Sequence, residues 1–173
     1  WIDDDAGLSY IDIRSKCRRL ASKNQGIDLV IVDYLQLISS PPGLKNQNRT
    51  LEIGDISRNL KILAKELNVP VICLSQLNRK IEDRTNQHPM LSDLRDSGAI
   101  EQDADLVAFL HREDYFNRTK IKKADEDAGF GDGDSAHGTK AEIIIAKQRN
   151  GPVGSIPLTF LADYMRFESY IDG

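Results

Sequence analysis

Cysteine is nearly absent: the chain has two, Cys17 and Cys73, far apart and each set within an apolar pattern. That excludes a disulfide scaffold and reads as two buried free thiols in a reducing compartment. Long hydrophobic runs are missing as well. No stretch approaches the ~20 apolar residues of a membrane span, and no basic-then-apolar leader opens the chain, so no membrane partner is expected. An excess of positive charge is also lacking. A formal net charge of −4 argues against adhesion of the whole surface to nucleic acid, while leaving room for a local cluster of Lys and Arg. The chain starts at Trp1 rather than Met, which reads as a fragment or processed piece.

Several site signatures are missing too. The three histidines, His88, His111 and His137, have no metal-ligand spacing with one another or with the cysteines, so no metal site is expected from them. Residues 125–134 lack the alternation and the closing glutamate of a calcium loop. No Ser-His-Asp set is arguable from residue order. No G-x-x-x-x-G-K-[ST] run occurs; the glycines of residues 129–138 are followed by Thr139 and Lys140 in the wrong order. A phosphate-cradling loop of that kind is therefore not in this chain.

What is present fits one domain over residues 1–173, with ordinary apolar and charged content. Ser9 followed by Asp12 reads as a capping box, with Ile13, Cys17, Leu20 and Ala21 at helical spacing and Gly26 as the stop. Residues 29–32 are apolar on both faces, as in a covered parallel strand, and end at Asp33. A loop at residues 39–49 leads to Thr50, a candidate N-cap. Ile53, Ile56, Leu60, Leu63 and Leu67 then mark the clearest amphipathic helix, closed by Asn68 and Pro70. Residues 71–74 form the next covered strand, ending at Ser75-Gln76; strand, helix, strand is a parallel crossover. Residues 89–102 are polar and interrupted by Gly98. Residues 106–110 and 142–146 read as strands, 117–139 as a mobile loop, Asn150-Gly151 as a hairpin turn, and 156–160 and 166–170 as final strands.

Four places carry candidate chemistry. Asp33 ends a covered strand, where α/β proteins bind ligands and where a carboxylate holds Mg²⁺ through water; a plain turn residue is the alternative. Gln76 ends the neighbouring strand at the same edge, where an amide contacts either a terminal phosphate or a loop backbone. Lys147 and Arg149, two apart on a strand, share a face and call for an anion, unless they merely protect an exposed edge. Arg95, Asp96, Ser97 and Gly98 combine a cation with a backbone open to close approach, or form an ordinary surface turn.

The strings themselves go further. Residues 28–37 (DLVIVDYLQL) resemble the Walker B segment of DnaB-type replicative helicases, and residues 52–61 the helix after it. Residues 74–79 (LSQLNR) resemble that family's sensor motif and residues 91–105 (LSDLRDSGAIEQDAD) its most recognisable stretch. Residues 146–151 (AKQRNG) resemble its arginine-finger motif. The five matches come in family order and span nearly the whole chain.

The resemblance implies an α/β, RecA-like fold: a mostly parallel twisted sheet flanked by helices, with antiparallel strands at the C-terminal end. It implies the cofactors ATP and Mg²⁺, with Asp33 serving Mg²⁺, Gln76 sensing the γ-phosphate, and Lys147, Gln148 and Arg149 reaching the nucleotide of the next subunit. It implies a homohexamer on single-stranded DNA, with Arg95, Asp96 and Gly98 lining the channel, primase and a helicase loader as further partners, and a cytoplasmic replisome. Departures exist. The family's P-loop and catalytic glutamate precede the matched region, its collar domain is missing, and Asp96 stands where Glu is common. The isolated chain is accordingly expected not to hydrolyse ATP. A recombinase or clock-type ATPase, or a module used only for binding, are the alternatives.

Overall fold

The computed structural model describes residues 1–40, 48–94, 98–112 and 138–170. They form two compact units, Trp1–Asn78 with Leu91–Ala104, and Arg79–Met90 with Asp105–Gly173. The expected mobile loop lies outside the described residues up to residue 137. Among the described residues no helix is long and apolar enough to cross a membrane.

In the first unit, helix α1 (Tyr10–Lys23) opens on the expected capping box. The Asp12 N–H donates to Ser9 Oγ at 3.3 Å, and the Ser9 N–H donates back to Asp12 Oδ2 at 3.0 Å. The helix stops at Lys23, before Gly26, because Asn24 caps it through both its N–H and its side-chain amide to the Leu20 carbonyl. Gly26 follows at φ 124°, where a side chain would be strained. Strand β1 (Val30–Val32) leads through a 3₁₀ turn to helix α2 (Arg49–Leu67) and strand β2 (Val71–Cys73). Asn48, not Thr50, is the N-cap of α2: its side chain accepts the Thr50 N–H at 3.1 Å, so Thr50 is the capped donor. Asn68, in the left-handed region, ends the helix as expected.

The strands pair in parallel, Val30 opposite Val71 and Val32 opposite Cys73. Tyr10, Ile13 and Cys17 of α1, and Ile53, Ile56, Leu60 and Leu63 of α2, pack on the face that carries Val30, Val32, Val71 and Cys73. The other face is open, with Ile31 61% and Ile72 52% exposed. The expectation of strands covered on both faces thus holds on one: strand alternation turns Ile31 and Ile72 away from the only side that α1 and α2 cover. Helix α3 (Gly98–Asp103), not anticipated from sequence, packs on α2. A Cβ on Gly54 would come within 3.2 Å of the Ala99 Cβ, so this glycine allows the two helices their close approach.

The second unit is a four-stranded antiparallel sheet in the order β3 (Leu106–Arg112), β4 (Thr139–Gln148), β5 (Gly154–Leu161), β6 (Arg166–Ser169). The turn expected at Asn150-Gly151 does join two antiparallel neighbours. Strand β3 alternates strictly: Val107, Phe109 and His111 are buried, while Leu106 and Leu110 are half exposed. Phe160 is buried beneath the Arg112 guanidinium, 3.5 Å from the ring centre, and beside Phe167.

Within the first unit, Ser9 lowers the Asp12 pKa, through its hydroxyl first and its backbone N–H second. A depressed carboxylate contributes stability above its unfolded value, and that contribution is lost as pH falls through the folded value. Ser9→Ala is expected to lower unfolding free energy by about 1 kcal/mol at neutral pH. In urea melts the gap from the parent should narrow as pH drops below the usual carboxylate range; a gap that widens in acid rejects the box as its cause. Both thiols are free, and burial pushes that of Cys73 up to about 12. Cys73 should therefore react with a disulfide reagent at neutral pH at least about tenfold more slowly than an unfolded thiol, a lag that urea abolishes.

Candidate functional site

Parallel pairing brings the carboxyl ends of β1 and β2 to one edge, so Asp33 and Gln76 stand on the same rim. The chain fastens that rim beyond the strands. The Leu74 N–H donates to the Val32 carbonyl and the Leu35 N–H to the Leu74 carbonyl, both at 2.9 Å. Gln36 then acts as a clasp. Its amide Nε2 donates to Ser75 Oγ at 3.0 Å and to the Gln76 carbonyl at 3.2 Å. Its Oε1 accepts the Gln76 N–H at 3.3 Å. Arg49, at the start of α2, donates to the Gln36 carbonyl at 2.8 Å and pairs with Glu52 at 2.8 Å; that pairing, helped by Ser40, holds the Glu52 carboxyl below its ordinary range. Neither Gln36 nor Arg49 is singled out by the sequence. Gln36 lies inside the DYLQL string, but its role depends on a contact 39 residues away.

Asp33 is exposed and lines a groove of about 780 Å³ together with Asp28, Ile31, Tyr34 and the amino-terminal segment. An exposed carboxylate at this edge is a hard oxygen donor suited to hydrated Mg²⁺. One carboxylate is a weak site alone, and the chain has no glycine-rich phosphate cradle to complete it.

Lys147 and Gln148 are the last two residues of β4. Arg149 is not on the strand as expected; it begins the turn, because β4 ends at Gln148. A bulge lies just before, where Val107 pairs with Lys147 but Ala108 pairs with Ile145, leaving Ala146 as the extra residue. Such bulges re-aim side chains, so simple alternation does not assign the faces here. The Arg149 N–H donates to the Asp105 carbonyl at 2.9 Å, and its guanidinium lies 3.8 Å from the Asp105 carboxylate, the two side chains 49% and 59% exposed. Arg149 is therefore outside any core. At Gly151 a Cβ would meet the Gln148 amide at 2.5 Å, so glycine lets that side chain fold over the turn.

Arg95, Asp96 and Ser97 lie outside the described residues; Gly98 is exposed at the first position of α3. The histidines have no metal-ligand spacing along the chain, but His88 and His111 converge with Glu142 in space, brought together by strand register and a loop.

The parallel β1–α2–β2 crossover and the antiparallel sheet belong to part of an α/β fold of the RecA-like type. The family model for the DnaB-like helicase C terminal domain matches residues 1–169. Replicative DNA helicase DnaB of Geobacillus stearothermophilus is 49% identical over 167 residues, 96% of this chain and 33% of that protein. A solved DnaB-like replicative helicase, studied for its interactions with primase, superposes with a TM-score of 0.80 at 43% identity, over 98% of this chain and 37% of that one. A second solved structure, an ATPase domain, gives 0.78 at 44% identity, over 97% of this chain and 54% of that one. The chain belongs to the DnaB-like helicase C-terminal domain family. It spans about a third of the length of the curated relatives it matches.

The clasp is testable apart from any activity. Gln36→Ala removes a side chain that makes three hydrogen bonds and is expected to cost about 1–2 kcal/mol of unfolding free energy. Amide exchange at Gln76 should accelerate while that of the α2 core stays slow. Unaltered exchange at Gln76 would show that the rim holds itself without the clasp.

Proposed function

We propose that this chain supplies the Walker B, sensor and arginine-finger parts of the motor of a hexameric, ATP-dependent replicative DNA helicase, which moves along single-stranded DNA and unwinds duplex at the replication fork. The observation that carries this reading is the rim: Asp33 directly follows β1 and Gln76 lies three residues beyond the neighbouring parallel strand β2 in a chain 49% identical over nearly its whole length to a replicative helicase.

Bound Mg²⁺ would offset the charge that develops on the transferred phosphoryl group. Asp33 would hold that ion through water, and Gln76, oriented by Gln36, would hydrogen-bond the terminal phosphate or the attacking water. Lys147 and Arg149 would reach the nucleotide of a neighbouring subunit, with Gln148 beside them. The Arg149 side chain is half exposed, 3.8 Å from the Asp105 carboxylate, and an arginine finger changes turnover by about 10³–10⁵. Because the arginine would act in trans, hydrolysis would depend on how adjacent subunits sit.

Arg95, Asp96 and Gly98 would hold the DNA backbone in the channel; contacts to phosphates rather than bases suit a motor that must ignore sequence. A primase partner is supported by the related helicase solved with primase in view. A helicase loader and a cytoplasmic replisome complete the reading, with residues 1–173 as part of a single motor domain.

Arg149→Ala in the full-length ring is expected to reduce ATP hydrolysis by about 10³-fold or more while nucleotide binding is largely kept. The 173-residue chain alone should show no turnover. Unchanged hydrolysis by the Arg149→Ala ring, or appreciable turnover by the isolated chain, would overturn the split-site reading.

A further inference from the structure

The second unit assembles three metal-binding side chains from separate parts of the sequence. His111 on β3 and Glu142 on β4 are direct register partners, so the backbone fixes their Cβ atoms on one face about 5 Å apart. His88 arrives from the loop before Met90. Its Nε2 lies 2.7 Å from Glu142 Oε1, although the residues are 54 apart in sequence, and its ring centre is 5.0 Å from that of His111. One ligand atom from each lies within 4.8 Å of the other two. In a tetrahedral zinc site with bonds of about 2.0–2.1 Å, donors stand about 3.3 Å apart. The remaining gap is within reach of a ring rotation of His88.

The burial is graded in a useful way. His111 is 7% exposed, while the side chains of Glu142 and His88 are 26% and 45% exposed. Two donors are thus anchored by the sheet and the third is open to solvent, which gives an ion a way in. A cavity of about 340 Å³ beside His111 and Glu142, also lined by Tyr170 and Lys140, has room for a water as fourth ligand. Lys140 is the opposing charge in that lining, but it is exposed and screened by solvent.

We propose that His88, His111 and Glu142 bind one divalent transition-metal ion of zinc's class, with water completing the tetrahedron, and that the ion pins the loop carrying His88 to the four-stranded sheet. Two imidazoles and one carboxylate are borderline donors. They favour Zn²⁺ and discriminate against Mg²⁺, which demands oxygen ligands in an octahedron. The site is therefore chemically distinct from the Asp33 rim, and it stands or falls independently of the helicase reading.

The test uses the whole chain, stripped with a chelator and titrated with Zn²⁺ by calorimetry and with Co²⁺ by visible absorption. The expected result is one equivalent per chain, a rise in melting temperature with zinc, and no competition by excess Mg²⁺. His88→Ala should weaken binding at least about tenfold and remove the zinc-dependent rise, read against the variant's own metal-free melting because it also loses the 2.7 Å contact with Glu142. If that variant fails to fold, Glu142→Gln gives the same readout. His137→Ala and a Cys17→Ser, Cys73→Ser double variant should bind as the parent does. No zinc uptake at about 100 μM, uptake indifferent to His88→Ala and Glu142→Gln, or uptake lost with His137→Ala overturns the proposal.

Discussion

The parallel register of β1 on β2 is the constraint from which the candidate rim follows. Each strand is only three residues long, too short to hold its own alignment through ladder hydrogen bonds alone. Two things supply the rest. Val30, Val32, Val71 and Cys73 are drawn onto α1 and α2 by burial, which fixes the face, since a slip by one residue would turn Ile31 and Ile72 inward. Gln36 then ties the two carboxyl ends by hydrogen bonds to Ser75 and Gln76, which fixes the edge. Asp33 and Gln76 inherit their common rim from these two effects, and Arg49 extends the tie to the start of α2.

The opposite charge belongs to the other unit. Lys147 is the second-last residue of β4 and Arg149 begins its turn, next to a bulge and to Asp105. A fully buried guanidinium would require a committed partner, and breaking that pair would be strongly destabilising. A half-exposed one carries no such requirement. An arginine proposed to engage a triphosphate on another subunit needs exposure, and Arg149, at the start of the turn after β4, is half exposed.

How much of this is legible in the sequence depends on the range of the interaction. The capping box at Ser9 and Asp12, the long periodicity of α2 and the stop at Asn68 are local, and the sequence displays them. The strands carrying Asp33 and Gln76 are also readable, because short aliphatic runs ending in polar residues have few other uses. Helix α3 escapes because six residues beginning with glycine carry no periodic signal. The cap at Asn48 escapes because Asn and Thr are both good caps, and only geometry decides which donates. Lys147 and Arg149 do not share a strand face because β4 ends at Gln148 and Arg149 falls in the turn. The open faces of β1, β2 and β3 are invisible because an aliphatic run does not say how many layers pack on it. The roles of Gln36 and of the His88, His111 and Glu142 group depend on pairings across tens of residues, set by sheet register.

The two cation chemistries can be ranked by how complete each donor set is. Asp33 offers one exposed carboxylate, and a hard, strongly hydrated ion gains little from one oxygen. Mg²⁺ binding at that rim would therefore have to await phosphate oxygens brought by the nucleotide. His88, His111 and Glu142 bring three donors within 4.8 Å of one another, and a borderline donor set of this kind favours zinc-class ions over Mg²⁺. An ion held there would persist whether or not nucleotide is bound, and would act on the sheet that bears Lys147 as a fixed clip rather than as a participant in turnover. The same physical rule, donor number and hardness, would separate a transient ion at one unit from a resident ion at the other.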